Sequence, residues 1–307
     1  MAYDYDVAVY LGSLPKIKNH NLKVQLMQAF AEGAKRSGAR VWIGAERELK
    51  SARLAVMIGW IGMNFSGPHI YFRQDIVNHQ KAIGGRVMPI DGSCFKFTSQ
   101  ENLWLRYSLD DVFYNTGEYA NTGADERRWN QIRQSLDIKL LPWRSEGDHI
   151  LVCLQRDSGW NSKGFDQQHW LEKTLKIIRG RGDRPIHIRP HPANKINWNY
   201  ISNKFTNVHV VDSTAKTLEQ DIQGAHAGVF FNSSSSVASV LYGVPVFVSD
   251  TSAVTYSVAN HNIKEINNPG LPNREQWLYE LSAAHWTIDQ SRNGDIYRHF
   301  EPYLPPA

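Results

Sequence analysis

Two short stretches in the second half of the chain carry residue types suited to holding an anion. They are Arg189-Pro190-His191-Pro192, and Asn232 followed by Ser233, Ser234, Ser235 and Ser236. The apolar run 228–231 reads as a buried strand and residues 235–242 as a helix, so the serines fall at a strand-to-helix turn. A helix N-terminus presents unpaired backbone N–H groups at the positive end of the macrodipole, and short hydroxyls add donors without blocking close approach. The turn therefore predicts a phosphate site; the plainer reading is helix capping, for which one serine is enough. Arg189-Pro190-His191-Pro192 follows a strand at 186–189. The prolines hold this loop extended and point His191 at a phosphate or leaving-group oxygen, with Arg189 adding a bidentate charged contact. A lone loop histidine is otherwise structural. Gln155-Arg156-Asp157 ends a strand at 150–154, placing Arg156 at a diphosphate and Gln155 or Asp157 at its substituent; the alternative is a solvated turn closed by Asp157-Ser158-Gly159.

The first half offers a carboxylate in a matching position. A strand at 86–90 delivers Asp91-Gly92-Ser93, a placement suited to a general base, although Asp-Gly is also a common turn. Gly92, Arg106, Asp110 and Glu118 are candidate contacts for a second substrate, along an aromatic-flanked polar segment that includes Asp111. Asp4-Tyr5-Asp6 has the look of a two-aspartate metal motif but precedes the first strand, and reads as a solvated N-terminus. Cys94 and Cys153 are too few and too isolated for a disulfide framework or metal cluster, and read as core thiols.

The elements that position these residues alternate between strand and helix. Residues 7–11, 40–43 and 54–60 read as strands, 21–37 and 69–82 as helices, the second stopped by Gly84-Gly85. A helix at 126–136 precedes the strand at 150–154. A second alternation follows: helix 168–179, strands 186–189 and 208–211, helix 217–223, strand 228–231, helix 235–242 and strand 245–248. The pattern predicts an α/β protein of two Rossmann-like, doubly wound domains with parallel sheets facing a cleft. The domains are expected at 1–146 (acceptor side) and 147–273 (nucleotide side). A helical tail at 274–307 either packs back across the first domain or lies as a surface helix.

A chain of 307 residues exceeds the roughly 100–200 of a single domain. Hydrophobic residues at 42% and charged residues at 21% exclude a disordered or fibrous protein. The start lacks the basic and apolar regions of a signal peptide, and no apolar run reaches about 18 residues, so a cytoplasmic protein without membrane contact is expected. The net charge of +4 permits a nucleic-acid partner without establishing one.

Ile90-Asp91-Gly92, His191-Pro192 and the serine cluster together resemble the landmarks of GT-B glycosyltransferases related to capsule-polysaccharide synthesis proteins and bacterial sialyltransferases. That resemblance implies Asp91 as the base, His191 and Pro192 at the nucleotide, and Ser234, Ser235 and Ser236 at the phosphate. Ser108-Leu109-Asp110-Asp111 through Tyr114 and Gly117 is similar to a further element of the capsule-type pattern; Ile90 departs from the acidic residue that commonly precedes the Asp. The implied reaction is inverting, metal-independent transfer from a UDP- or CMP-linked sugar to a hydroxyl. Residues 159–164 and the segment from Trp277 to Trp286 look like phage-encoded glycosyltransferases that modify DNA bases. This implies 5-hydroxymethylcytosine in DNA as the acceptor and the host cytoplasm as the location. The alternatives are a capsule or cell-surface glycan as acceptor, a sugar-nucleotide epimerase of the same fold, and a non-catalytic DNA-binding protein.

Overall fold

The computed structural model describes residues 3–15, 20–61, 67–95, 103–156, 165–194 and 196–307, in two compact units: residues 1–136 with 278–307, and residues 137–277. The first unit therefore includes the end of the chain, and the second begins about ten residues before the expected boundary at 147.

In the first unit the chain runs β1 (Tyr5–Tyr10), α1 (His20–Arg36), β2 (Val41–Gly44), β3 (Ala52–Ile58), α2 (Pro68–Ile83), β4 (Arg86–Gly92), β5 (Trp104–Tyr107) and α3 (Glu126–Leu136). Helix α1 forms where Met27, Phe30, Ala31 and Ala34 recur at helical spacing, and it buries that stripe on the sheet. It ends at Ser37-Gly38, with Gly38 at φ +90° and Lys35 and Arg36 complementing the dipole. Helix α2 starts with Pro68 at its first turn and stops at Gly84 in the left-handed conformation, φ +73°.

The second unit runs β6 (His149–Cys153), α4 (Gln167–Arg179), β7 (Ile186–Arg189), α5 (Tyr200–Lys204), β8 (Val208–Val210), α6 (Leu218–Ile222), β9 (Ala225–Phe230), α7 (Ser235–Leu241) and β10 (Val246–Val248). The chain then forms α8 (Glu275–Ala283), β11 (His285–Thr287), α9 (Ile288–Arg292) and α10 (Asp295–Phe300). The second sheet, ordered β10-β9-β6-β7-β8, is parallel throughout, with Ile150, Val152, Ile186, Ile188 and Val229 in its core.

The first sheet departs from the expected parallel arrangement. Its order is β11-β5-β4-β3-β1-β2; the last four strands are parallel, but β5 runs antiparallel to β4 and β11 antiparallel to β5. A parallel return needs a crossover of a dozen or more residues, usually helical, and only residues 93–103 separate β4 from β5. The helical tail expected at 274–307 is also corrected: it is broken into helix, strand, helix and helix, and its strand joins the first sheet. Gly33 shows how closely this tail sits on α1, since a Cβ there would lie 1.9 Å from the Ser291 carbonyl oxygen.

Asp6 is a further correction. It lies within β1, nearly buried, with Oδ2 accepting from the Arg40 Nε at 3.1 Å and Oδ1 lying 3.6 Å from an Arg53 Nη1. It is an internal ion pair rather than part of a solvated terminus.

Candidate functional site

In open α/β sheets ligands gather at the carboxyl ends of the strands, and the polar groups of each unit are best described along that edge. In the second unit Gln155 follows β6, Pro190 and His191 follow β7, and Asn232 follows β9. Gln155 is buried. Its Nε2 donates to Asn232 Oδ1, its backbone N–H to Gln167 Oε1 at 2.6 Å, and its carbonyl accepts from Asn194 Nδ2 at 2.9 Å. Its Oε1 is a buried acceptor with no partner among the described residues. Asn232 Nδ2 in turn donates to Ser252 Oγ at 2.8 Å. The edge is thus a network joining the ends of three strands, with Arg156 exposed beside it.

The serine turn resolves into distinct roles. Ser233 Oγ and Ser235 Oγ are 2.8 Å apart on the half-buried side of the turn, and the Cys153 thiol lies against Ser235. Ser234 takes the N-cap position, but its side chain makes no capping bond. The amides of residues 236 and 237 are spent on the carbonyls of Ser233 and Ser234, whereas the Ser233 and Ser234 amides have no backbone partner among the described residues. Ser236 is a correction: it is 0% exposed, donates to the Ser233 carbonyl at 2.8 Å and accepts from Thr255 Oγ1 at 2.9 Å, so it is internal glue and cannot touch a ligand.

Arg189 is corrected in the same way. Its guanidinium is 7% exposed, ion-paired with the buried Asp221 and bonded to the carbonyls of Ser213, Lys216 and Thr217. Both terminal nitrogens are committed to protein, and it braces the loop instead of offering a fork to a phosphate. His191 is exposed; its Nδ1 accepts from the Ala193 N–H at 3.0 Å and its carbonyl from the Asn194 N–H at 2.8 Å, a closed turn that fixes the ring. Pro192 is exposed in that turn. Sequence reasoning missed the aromatic wall beside the serines. Phe165 stacks on Phe231 with centroids 3.8 Å apart, and Trp170 meets Phe231 edge-on while donating to Ser249 Oγ at 3.0 Å.

In the first unit Asp91 lies inside β4, half-buried, and Gly92 is exposed with open space where a Cβ would stand. Asp91 and His285 both pair in register with Arg106, which puts one residue from each of β4, β5 and β11 in a row. Arg106 Nη2 donates to Asp91 Oδ2 at 2.6 Å, while Oδ1 has no hydrogen-bond partner among the described residues. Burial opposes the Arg106 charge, but Cys94, Tyr119 and Asp91 around it hold its pKa above the ordinary value. Burial likewise pushes the Tyr119 phenol up to about 12 and raises the Cys94 thiol. Arg106 therefore orients the carboxylate from behind, in place of the expected contact with a second substrate. His285, absent from the sequence reading because its segment looked helical, accepts from the Cys94 N–H at 3.1 Å and bonds the Leu281 carbonyl at 2.8 Å. It anchors the chain just past Asp91.

Asp110 and Glu118 do not join this cluster. Because β5 runs antiparallel to β4, the chain from Arg106 to Asp110 travels towards the start of β4. There Asp110, at φ +65°, pairs with Arg86 and accepts from the Val87 N–H at 2.9 Å. Val87 and Asp91 are four residues apart on one strand, roughly 13 Å. Glu118 faces Leu109 across a bridge and caps the Ala120 N–H at 2.7 Å. Asp111 is tied into its own turn by the Val112 N–H and the Thr116 hydroxyl.

Residues 159–164 and Asp157 lie outside the described residues. Trp277 and Trp286 are both buried, Trp277 donating to the Val254 carbonyl at 2.8 Å, so these tryptophans fill core. Among the described residues no three His, Cys, Asp or Glu side chains converge as a metal site, and no helix is long and apolar enough to cross a membrane.

Two Rossmann-like units, with the end of the chain returning to the first sheet, define a fold of the GT-B glycosyltransferase type. The chain is similar in structure to the β-Kdo 2,4-transferase of Thermosulfurimonas dismutans KpsC, with TM-score 0.58 and 10% identity over 91% of this chain and 89% of that one. It is also similar to the β-Kdo 2,7-transferase of the same KpsC, with TM-score 0.56 and 13% identity over 95% of this chain and 99% of that one. No protein-family model and no curated protein matches the sequence.

Proposed function

We propose that the protein is a glycosyltransferase that moves a sugar from a nucleotide-sugar to a hydroxyl of a glycan, with inversion and without a metal. The observation that carries this reading is the polar carboxyl edge of the second sheet. Gln155, Asn194, Asn232, Ser233, Ser234 and Ser235 gather at the ends of β6, β7 and β9, where a diphosphate or phosphate fits a cradle of amides and hydroxyls. His191 and Pro192 line the nucleotide, with Arg156 beside the phosphate and the Phe165–Phe231 stack closing one side.

In the reaction, Asp91 Oδ1 takes the proton of the acceptor hydroxyl as its oxygen bonds to the anomeric carbon. The bond from that carbon to the phosphate oxygen breaks, and the leaving electrons settle on the phosphate, where amide and hydroxyl dipoles stabilise them. Arg106 holds Oδ2 and so fixes which oxygen faces the acceptor. A glycan is favoured as acceptor over 5-hydroxymethylcytosine. Two solved proteins of similar structure are Kdo transferases by their names, and Trp277 and Trp286, in the segment that resembled DNA-base glycosyltransferases, are committed to core.

The test is to incubate the protein with a panel of nucleotide-sugars and glycan acceptors, with hydroxymethylated DNA alongside, and to detect added sugar mass by mass spectrometry. Asp91→Asn is expected to abolish transfer while nucleotide binding, read by calorimetry, is retained; retained turnover removes Asp91 from the mechanism. Conversion of the donor with no acceptor present decides for an epimerase.

A further inference from the structure

The first unit holds a cavity of about 490 Å³, built from the carboxyl ends of β1 and β2 and the start of α2, that the reaction above leaves unused. Leu11, Leu14 and Val24 give it an apolar floor, and His20, Arg47 and His69 its polar groups. Behind it Arg73 is 6% exposed, with Nε donating to the Ser13 carbonyl and Nη1 to the Trp60 carbonyl, both at 3.1 Å. Among the described residues Arg73, Arg47 and Lys23 form no ion pair with a carboxylate. Of the two acids in the neighbouring loop, Glu48 pairs with Lys50, and Glu46 lies over Gly44.

Among the described residues no carboxylate compensates the cluster. Burial brings the Arg73 guanidinium down to about 10, and no neighbouring carboxylate counters the effect. His69 is lowered first by burial and then by Arg73, Arg47 and Lys23, all of them cations. At Gly59, φ +81° and just past β3, a Cβ would stand 3.1 Å from the Arg73 Nη1, so the glycine leaves room for the guanidinium. A buried arginine facing only carbonyls is costly unless an anion completes it.

We propose that this cavity binds an anionic substituent of the acceptor, a carboxylate or a phosphate, and so selects acidic acceptors. The proposal rests on the glycosyl-transfer reading for the word acceptor, but its anion chemistry does not depend on that reading. Sheet order gives the reach. β1 is two strands and β2 three strands from β4, so the cavity is roughly 10–14 Å from Asp91 at about 4.8 Å per strand. That exceeds one sugar ring, so the charge sits on a unit beyond the one that is glycosylated.

Two measurements test it on the full chain. Binding of inorganic phosphate and of glucuronate is followed by calorimetry in the wild type, in Arg47→Gln and in Arg73→Met, with circular dichroism confirming that each variant folds. Arg47 is exposed, so its variant keeps the test valid if Arg73→Met fails to fold. Binding weakened roughly tenfold or more by Arg47→Gln, with nucleotide binding unchanged, supports the site. Phosphate tighter than glucuronate assigns a phosphorylated acceptor, and the reverse a uronate-type one. No anion binding, or binding indifferent to both substitutions, overturns the proposal. Acidic and neutral forms of one acceptor are then compared in transfer: a lower KM for the acidic form, lost in Arg47→Gln, supports selection, and equal KM values overturn it. If no acceptor is glycosylated, the glycosyl-transfer reading fails separately, and the calorimetry alone decides whether the anion site stands.

Discussion

His285 gives the first unit a built-in sensitivity to acid. Its ring is fully buried, with Nδ1 on the Leu281 carbonyl at 2.8 Å and Nε2 facing the Cys94 N–H at 3.1 Å. That pattern requires a neutral ring with its proton on Nδ1. A second proton would have to enter Nε2 against an N–H donor, and burial, followed by the charges of Arg106 and Arg128, brings the pKa down to about 3 against an ordinary 6.5. Between those values the unfolded chain binds a proton that the folded chain refuses, so stability is full above about pH 6.5 and is lost as the pH falls towards 3. At pH 5 the unfolded imidazole is about 30 to 1 protonated, which costs the folded state about 2 kcal/mol. The figure is insensitive to the folded value, since anything below about 4 leaves the ring neutral at pH 5. His285→Gln keeps a side-chain donor and acceptor without the titration. Urea denaturation followed by tryptophan fluorescence at pH 7 and pH 5 reads the effect, in the transition that the substitution displaces, because two units need not unfold together. The wild type is expected to lose about 2 kcal/mol more than the variant between the two pH values. Equal losses in the two proteins would refute the reasoning and mean that the buried ring accepts a proton without penalty.

Other substitutions probe chiefly the second unit. Arg189→Met strands the buried Asp221 and should cost about 3–5 kcal/mol in a denaturant melt, while Arg189→Met with Asp221→Leu should recover much of it; a single variant as stable as the wild type would return Arg189 to the ligand. Gly243→Ala meets the Pro142 carbonyl oxygen at 1.9 Å at φ +74°, whereas Gly123→Ala, at the same φ, has open space. The first should unfold at markedly lower temperature and the second lose only about 1 kcal/mol, and comparable losses would mean that the Gly243 backbone yields. Ser236→Ala should cost roughly 1–2 kcal/mol of stability through the orphaned Thr255 hydroxyl. Ser235→Ala should instead weaken nucleotide binding in calorimetry with little change in melting, and the reverse assignment would move the phosphate off this turn.

Much of the local architecture was legible because its causes are local. The apolar spacing of Met27, Phe30 and Ala34 specifies α1, and Gly84 stops α2, through rules that act within one or two turns. The strand β11 was not legible. Its three residues are too short for a period-2 signal, and Trp277, Leu278, Leu281, Ala284 and Trp286 mimic a helical stripe that only the edge of β5 interrupts. The antiparallel turn of β5 was hidden for a related reason, since strand direction depends on a partner distant in sequence.

By itself the sequence determined which residues stand at strand ends: Asp91, Gln155, the His191 loop and the serine turn all follow apolar runs closed by polar or glycine residues. Only the tertiary structure decided which of them keep polar groups that the protein has not already used. Arg189 and Asp221, or Arg106 and Asp91, meet across strands and helices, and a buried charge takes whatever counter-charge folding brings to it. Ser236 and Ser235 differ by one position and by nothing in chemical type, yet a turn of about 100° per residue sends one into the core beneath Thr255 and leaves the other on the rim. Hydrogen-bonding capacity is written in the side chain, but whether it is already spent depends on neighbours that only packing supplies.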